Sequence, residues 1–353
     1  MDIFCGLPSP SKRLDCALTI GNFDGVHRGH QALLAQLVGE AHRRGLPSCV
    51  MTFDPHPRAW FALRRGCSDQ APTRIGTLRD KAAELRRCGV DRLVIVRFDE
   101  AFARLTPQAF IDDVLCDALR VRHVLVGDDF RFGAGRAGDR TMLQQAGRLQ
   151  GFDVASMPSH EVFGLRVSSS SVRDELARGN LAHAATLLGR PYGIGGRIVR
   201  GGGHGTSLGF PSLNLGLGPT VPAAQGTFVV RVKGPTGPML PGMGCIGMQQ
   251  AADGSATAML RVHLFERPVY LGAESSLGQL MQVEFLHKLH AGQSLGSTES
   301  SREDVARHLL DARSWWTANH QLLAWATVRR PHVPVRGAWR NEARGLRLRG
   351  SGC

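Results

Sequence analysis

The feature that most restricts what this chain can fold into is a regular alternation in its first half. Short β-branched runs, CALTIGNF (16–23), PSCVMTFD (47–54), DRLVIVRFD (91–99) and VRHVLVGDDF (121–130), are separated by stretches with helical spacing: HQALLAQLVGEAHRRG (30–45), TLRDKAAELRRCG (77–89) and PQAFIDDVLCDAL (107–119). In the first helical stretch Leu33, Leu34, Leu37 and Val38 recur at intervals of three and four, one apolar helix face. Strand and helix in regular turn require crossover connections. The pattern therefore predicts a doubly wound α/β domain: a parallel sheet with helices on both faces. Ligands bind such sheets at the carboxyl ends of the strands. Three polar clusters fall there, GNFDGVHRGH (21–30), TFDPHP (52–57) and VGDDFRFGAGRAGD (126–139).

A helix over SVRDELARGNLAHAATLLG (171–189) closes this half, and the texture then changes. A glycine-rich stretch (190–218) leads into β runs at 226–234, 242–249, 256–265 and 280–289, the spacing of an antiparallel barrel or sandwich. A helix over 301–323 follows. The expected domains are 1–187 and 188–325, with a basic, disordered tail over 326–353. Because boundaries fall where few contacts cross, a fragment of residues 1–187 is expected to fold alone.

The net charge of +13 raises the question of nucleic acid, but its distribution argues against it. Residues 329–353 carry seven arginines against Glu342 and supply +6 of the total; the rest is spread thinly. A modest positive field also suits an enzyme of phosphorylated substrates. A basic nucleic-acid-binding protein remains the alternative of another class. No stretch reaches the roughly 18 apolar residues of a membrane span. The first 16 residues lack a signal-peptide core, so a cytoplasmic protein is expected. The eight cysteines are scattered with no CxxC pair and are expected to be reduced.

The junction at 18–34 carries the strongest chemical signal. A turn entering a helix offers free N–H groups and the positive end of a dipole, where phosphate binds readily. Gly21, Gly25 and Gly29 let a phosphate approach the backbone. His27 and His30, three apart, face one side of the turn and donate to charge developing in a transition state. They would equally suit a metal, but a third ligand at metal-site spacing is missing. Ser168–Ser171 read as the N-cap of the helix that follows.

The stretch GNFDGVHRGH resembles the nucleotidylyltransferase signature of bacterial FAD synthetases, the N-terminal modules of bifunctional riboflavin kinase/FAD synthetase enzymes. TFDPHP, TLRDK (77–81), VGDDFRFG, AGD (137–139) and VSSSSVR (167–173) resemble further family blocks in family order, and the likeness spans residues 14 to 320. The resemblance implies a doubly wound nucleotidylyltransferase domain followed by a riboflavin-kinase-like β-barrel, six-stranded or similar, with a C-terminal helix. It implies adenylyl transfer from ATP to FMN, giving FAD and pyrophosphate, with Mg²⁺, and riboflavin phosphorylation by the barrel. His27 and His30 would hold the triphosphate, while Asn22 and Asp24 would shape the nucleotide pocket. Asp129 would orient the nucleotide or a hydrated Mg²⁺. Ser168, Ser169 and Arg173 resemble a second phosphate-binding element, with Arg173 neutralising the departing pyrophosphate.

In the barrel, LGFPSLNL (208–215) resembles the family's PTAN stretch, which implies that Ser212 and Asn214 hold Mg²⁺ and ATP. RGGGHGTS (200–207) resembles its glycine-rich flap. One departure stands out. Where the family has a Glu as base for the riboflavin hydroxyl, this chain has Arg261, in RVHL. Glu266 and Glu284 are the acids that would have to compensate. Weak or absent riboflavin phosphorylation is therefore expected, and an FAD synthetase whose barrel only binds flavin is the alternative.

Overall fold

The computed structural model describes residues 1–158, 161–162, 165–200, 212–235, 237–250, 256–266, 277–291 and 302–328. The expected flap at 200–207, beyond Arg200, and the tail from 329 onward lie outside them.

The first half is a six-stranded parallel sheet: β1 (Asp2–Cys5), β2 (Cys16–Ile20), β3 (Ser48–Asp54), β4 (Arg92–Arg97), β5 (Val121–Gly127) and β6 (Asp153–Met157), in the order β1-β4-β3-β2-β5-β6. The two edge strands, β1 and β6, are additions to the sequence reading. Strand alternation sends Cys16, Leu18 and Ile20 to one face and Ala17 to the other. The Ala17 face is covered by α1 (Arg28–Arg43) through Leu34, Leu37 and Ala41, and by Leu85. Phe110, Ile111, Val114, Leu115 and Leu143 cover the opposite face. Chain order reverses between β2 and β5, so the loop leaving β2 opens at the switch point where such sheets bind ligands.

Between β3 and β4 lie α2 (Pro57–Arg64) and α3 (Leu78–Arg87); after β4 comes the single turn α4 (Glu100–Ala103). The stretch expected as one helix over 107–119 is a short α5 (Pro107–Ala109) continued by a π-helix, Phe110–Ala118. There the buried residues come in adjacent pairs, Phe110–Ile111 and Val114–Leu115. Beyond β5 come α6 (Arg140–Gln150), then after β6 the two-residue strands β7 (Glu161–Val162) and β8 (Leu165–Arg166), and then α7 (Ser169–Arg178) and α8 (Leu181–Leu188).

The second half is a closed antiparallel barrel of β9 (Gly193–Val199), β10 (Ser212–Gly218), β11 (Gly226–Lys233), β12 (Leu240–Gln250), β13 (Ala256–Leu264) and β14 (Leu280–His290), ordered β10-β13-β12-β11-β14-β9. Phe228, Val230, Leu260, Val262, Val283 and Phe285 fill its interior. The long α9 (Arg302–Val328) packs Leu309 and Ala312 on the outside, against Val229 and Met243. Cys5, Cys16, Cys49, Cys67, Cys88, Cys116 and Cys245 are free thiols. Among the described residues no helix is long and apolar enough to cross a membrane.

The seam between the halves is not the sparse boundary the texture change suggested. One buried cluster runs from Ile75 and from Val172, Leu176, Leu181, Ala184 and Leu187 of α7 and α8 straight into the barrel interior. Arg74 pairs by backbone with the barrel side: its N–H donates to Val221 O at 2.8 Å and its carbonyl accepts from Ala223 N at 2.8 Å. A fragment ending at residue 187 would leave the α7–α8 half of that cluster in water. It is expected to bind a hydrophobic-surface dye and to melt without a sharp transition. A dye-negative fragment with cooperative melting would restore the idea of two separable units.

Candidate functional site

The loop between β2 and α1 has an unusual backbone. Phe23, Gly25 and Val26 have φ of 47°, 77° and 40°. Only glycine adopts this region without strain; a β-branched residue there costs on the order of 1–3 kcal/mol and persists only when its surroundings hold it. Here they do. Thr52 Oγ1 donates to Asn22 O at 3.2 Å, and Ser169 Oγ to Asp24 O at 3.0 Å. Arg190 Nη2 donates to Gly25 O at 2.7 Å, and Gln31 Nε2 to Val26 O at 2.8 Å. Val26 N–H closes on Phe23 O at 3.3 Å. The carbonyls are thus drawn into the protein. A Cβ on Gly25 would stand 2.8 Å from Ile75, so the packing admits only glycine there.

His27 caps α1: its Nδ1 accepts from His30 N–H at 3.3 Å, which places the proton of the neutral ring on Nε2. The two imidazoles stack with centroids 3.7 Å apart. The pair that sequence spacing put on one side of the turn is therefore a single unit. Desolvation, followed by the charges of His27, Lys81 and Arg173, holds His30 well below the ordinary imidazole range. His30 Nδ1 and Asn22 Oδ1 are buried polar atoms without a hydrogen-bond partner among the described residues. Buried groups of this kind are usually satisfied, and a ligand is one way to satisfy them.

Asp24 is 2% exposed and accepts from Arg173 Nη2 at 2.7 Å; Arg173 Nε donates to Thr73 O at 2.7 Å. Arg173 thus reaches the site but spends two of its donors on protein atoms. Ser168 is the N-cap of α7, accepting from Ser171 N–H at 3.1 Å. Ser169 is committed to Asp24 O. Ser168 therefore caps the helix that follows, and Ser169 braces the loop. Gly21 leaves β2 with its N–H on Met51 O, and Gly29 lies in the first turn of α1. Asp129 is exposed just beyond the end of β5.

Sequence reasoning did not single out Lys81, His56 or Arg74. Lys81 is 5% exposed on α3, and its Nζ donates to Thr52 Oγ1 at 3.1 Å. Burial, then Arg74, push its pKa from the ordinary 10.5 to about 8, against the pull of Asp24 and Asp54. His56 caps α2 and is held near 3 by burial, then by Arg74, Arg173 and Lys81. Arg74 pairs with Asp54 at 2.7 Å. Three cations, Arg74, Lys81 and Arg173, thus face two carboxylates, Asp24 and Asp54. The surplus positive charge in a partly dry cleft suits a polyphosphate. A cavity of about 270 Å³ opens beside this group. Its walls are Asp54, His56, Ala59 and Arg74 on one side and Ile194, Leu217 and Pro222 of the barrel on the other. Mostly apolar walls with a few convergent polar groups are the usual composition of a small-molecule site.

In the barrel, Asn214 and Arg261 are paired neighbours on β10 and β13, and Ser212 faces His263. Arg261 Nε donates to Asn214 Oδ1 at 3.2 Å. Neither candidate acid reaches Arg261's neighbourhood through the sheet. Glu284 lies on β14, which pairs with β11 and β9 rather than β13, and its carboxylate accepts from Arg231 at 2.9 Å. Glu266 lies beyond the end of β13 and is exposed.

Residues 9–171 match the family model for FAD synthetase, and residues 188–316 match the model for riboflavin kinase. A bifunctional riboflavin kinase/FMN adenylyltransferase from Escherichia coli K12 is 44% identical over 301 residues, 85% of this chain and 93% of that protein. The enzyme of the same name from Pseudomonas fluorescens is 39% identical over 85% of this chain and 92% of its own. That from Haemophilus influenzae is 34% identical over 90% of this chain and all of its own. A solved structure described as a macrolide-efflux protein from Streptococcus pneumoniae is 25% identical with a TM-score of 0.64, covering 88% of this chain and 96% of that one.

Proposed function

Because the chain belongs to the bifunctional riboflavin kinase/FMN adenylyltransferase family, we propose that its α/β half forms FAD at the site around His27 and His30. The chain is a transferase of FAD biosynthesis, with FMN adenylylation in the first half and riboflavin phosphorylation in the second. The observation that carries the site assignment is the stacked histidine pair on a strained loop, beside an excess of buried positive charge.

In the reaction, an FMN phosphate oxygen forms a bond to the α-phosphorus of ATP. The bond from that phosphorus to the oxygen bridging it to the β-phosphate breaks, and pyrophosphate carries away the electron pair. Little covalent chemistry falls to the protein, so positioning and charge stabilisation dominate. His27 Nε2–H and the His30 ring would donate to the phosphate oxygens. Asn22 Oδ1 and the glycine-lined backbone would border the nucleotide. Lys81 and Arg173 would balance the polyphosphate charge, Arg173 by exchanging Asp24 for phosphate. The flat flavin ring would occupy the apolar cavity beside His56. Mg²⁺ would enter with ATP, and Asp129 has the hard oxygen donors that ion takes. The barrel residues fit it less well: Asn214 Oδ1 already accepts from a fixed cation.

Incubating the full chain with FMN, α-labelled ATP and Mg²⁺ should yield labelled FAD. Retention on DNA at physiological salt without FAD formation would favour the nucleic-acid alternative instead.

Lys81 adds a pH signature. The rate at limiting ATP reports groups on the free enzyme. Lys81 is charged below about 8 and neutral above it, so kcat/KM for ATP is expected to fall as pH rises through that value. The fall would not be unfolding driven by this group. Between about 8 and 10.5 the unfolded chain binds more protons at Lys81 than the folded one, so this term raises stability with pH. Lys81→Met should abolish the alkaline limb; a limb that persists belongs to another residue.

A further inference from the structure

Arg190 lies past the α/β half, between α8 and β9, where composition changes and the FAD synthetase match has already ended. Its side chain is 23% exposed and turns back from the barrel. Nη2 donates to Gly25 O at 2.7 Å; Nη1 donates to Val26 O and to Leu188 O, each at 3.2 Å. Nε stands 3.4 Å from Glu84 Oε2 on α3. One planar group thus joins the carbonyls of two consecutive positive-φ residues, the end of α8 and the helix that carries Lys81. Gln31 runs parallel to it, donating to Val26 O at 2.8 Å and to Leu188 O at 2.7 Å.

The residue after this strained pair is His27. Val26 at φ 40° gains by relaxing to negative φ, and such a change rotates the peptide that leads into His27. Arg190 and Gln31 oppose it by holding Val26 O, and Arg190 alone among the contacts described also holds Gly25 O. We propose that Arg190 is a positioning residue for adenylyl transfer, fixing the His27 ring from the barrel side of the chain. Its role is to hold the loop, not to take part in the chemistry. The inference rests on the reading of His27 and His30 as the adenylyl-transfer pair.

The test uses full-length Arg190→Gln and Arg190→Lys. Lysine retains a cation for Glu84, which protects folding, but its single nitrogen does not span Gly25 O, Val26 O, Leu188 O and Glu84 together. The expected result in both is a fall in kcat for FMN adenylylation of about tenfold or more, which corresponds to a misplaced donor. KM for FMN should stay within about twofold, since no flavin contact is lost. Lower stability alone would also reduce kcat, so a second readout follows the ring itself. The ¹⁵N imidazole shifts of His27 should report an Nε2–H tautomer in the wild type and move in the variants. Unchanged His27 shifts, or a kcat within about twofold of wild type in Arg190→Lys, would overturn the proposal. A wild-type chain that forms no FAD would instead overturn the functional reading, leaving the His27 shifts as the test of positioning.

Discussion

His30→Ala is expected to lower FMN-to-FAD turnover by about 10²–10³, the usual loss when one transition-state donor is removed. Three observations set that size. The ring stacks on His27 at 3.7 Å, its Nδ1 has no hydrogen-bond partner among the described residues, and cations surround it. In the free protein, burial and those cations keep the ring neutral. A bound triphosphate reverses the local sign of charge and strengthens donation from the imidazole. That interaction grows as negative charge moves onto the departing pyrophosphate, so its loss falls on kcat rather than on KM for FMN. Phe23 also packs on His30, with centroids 4.9 Å apart, so the variant leaves a small gap. A thermal melt run beside the assay separates that cost from the chemical one. Turnover within about twofold of wild type, in a variant that melts normally, would remove His30 from the mechanism.

Riboflavin phosphorylation should be slow in this protein, and Arg261→Glu should raise it by about 10²–10⁴, the contribution of a general base. A primary alcohol is a poor nucleophile until a carboxylate takes its proton. Arginine stays protonated and offers no acceptor. The surroundings deepen the defect. Arg261 engages Asn214 Oδ1, the oxygen that the family resemblance assigns to Mg²⁺. The two candidate replacement acids are elsewhere, Glu284 on a strand that does not pair with β13 and already joined to Arg231, Glu266 past the strand end. Exchanging Arg261 for Glu supplies the base and frees Asn214 together. The assay is riboflavin with ATP and Mg²⁺, followed by chromatographic separation of FMN. A wild-type rate near one per second, ordinary for enzymes, would show that some other group takes the proton.

The four inner strands of the sheet and the histidine pair were legible in the sequence because each rests on local pattern: alternation of period, β-branched runs, and two imidazoles three apart at a strand–helix junction. Local pattern left the second half as a barrel or a sandwich, and only the family resemblance chose the barrel. Lys81 was legible in principle. It occupies the stripe of α3 that also holds Leu78 and Leu85, and a lysine at a core position asks for an explanation. The contacts that brace the loop were not legible. Asp24 and Arg173 are 149 residues apart, and Gly25 and Arg190 are 165 apart. No periodicity links such pairs; only the approach of α7 and of the segment after α8 to the loop between β2 and α1 brings them together. The shared core was hidden for a related reason. A shift in composition marks where β structure begins, but says nothing of how much apolar surface crosses that point. Asp80 illustrates this. Its role in the capping box with Thr77 follows from local sequence, whereas its second bond, to Gly195 N–H at 2.9 Å, joins α3 to the barrel.

That continuous core also bears on how the two activities evolve. If FAD formation leans on the barrel for the shape of its histidine loop, selection on FAD alone is enough to keep the barrel folded. The barrel's own chemistry then becomes free to drift, provided that its interior and its seam with α7 and α8 stay intact. Arg261, on the strand between β10 and β12, is the sort of change such a regime would tolerate: its expected cost falls on the kinase and not on the half of the enzyme that the barrel supports.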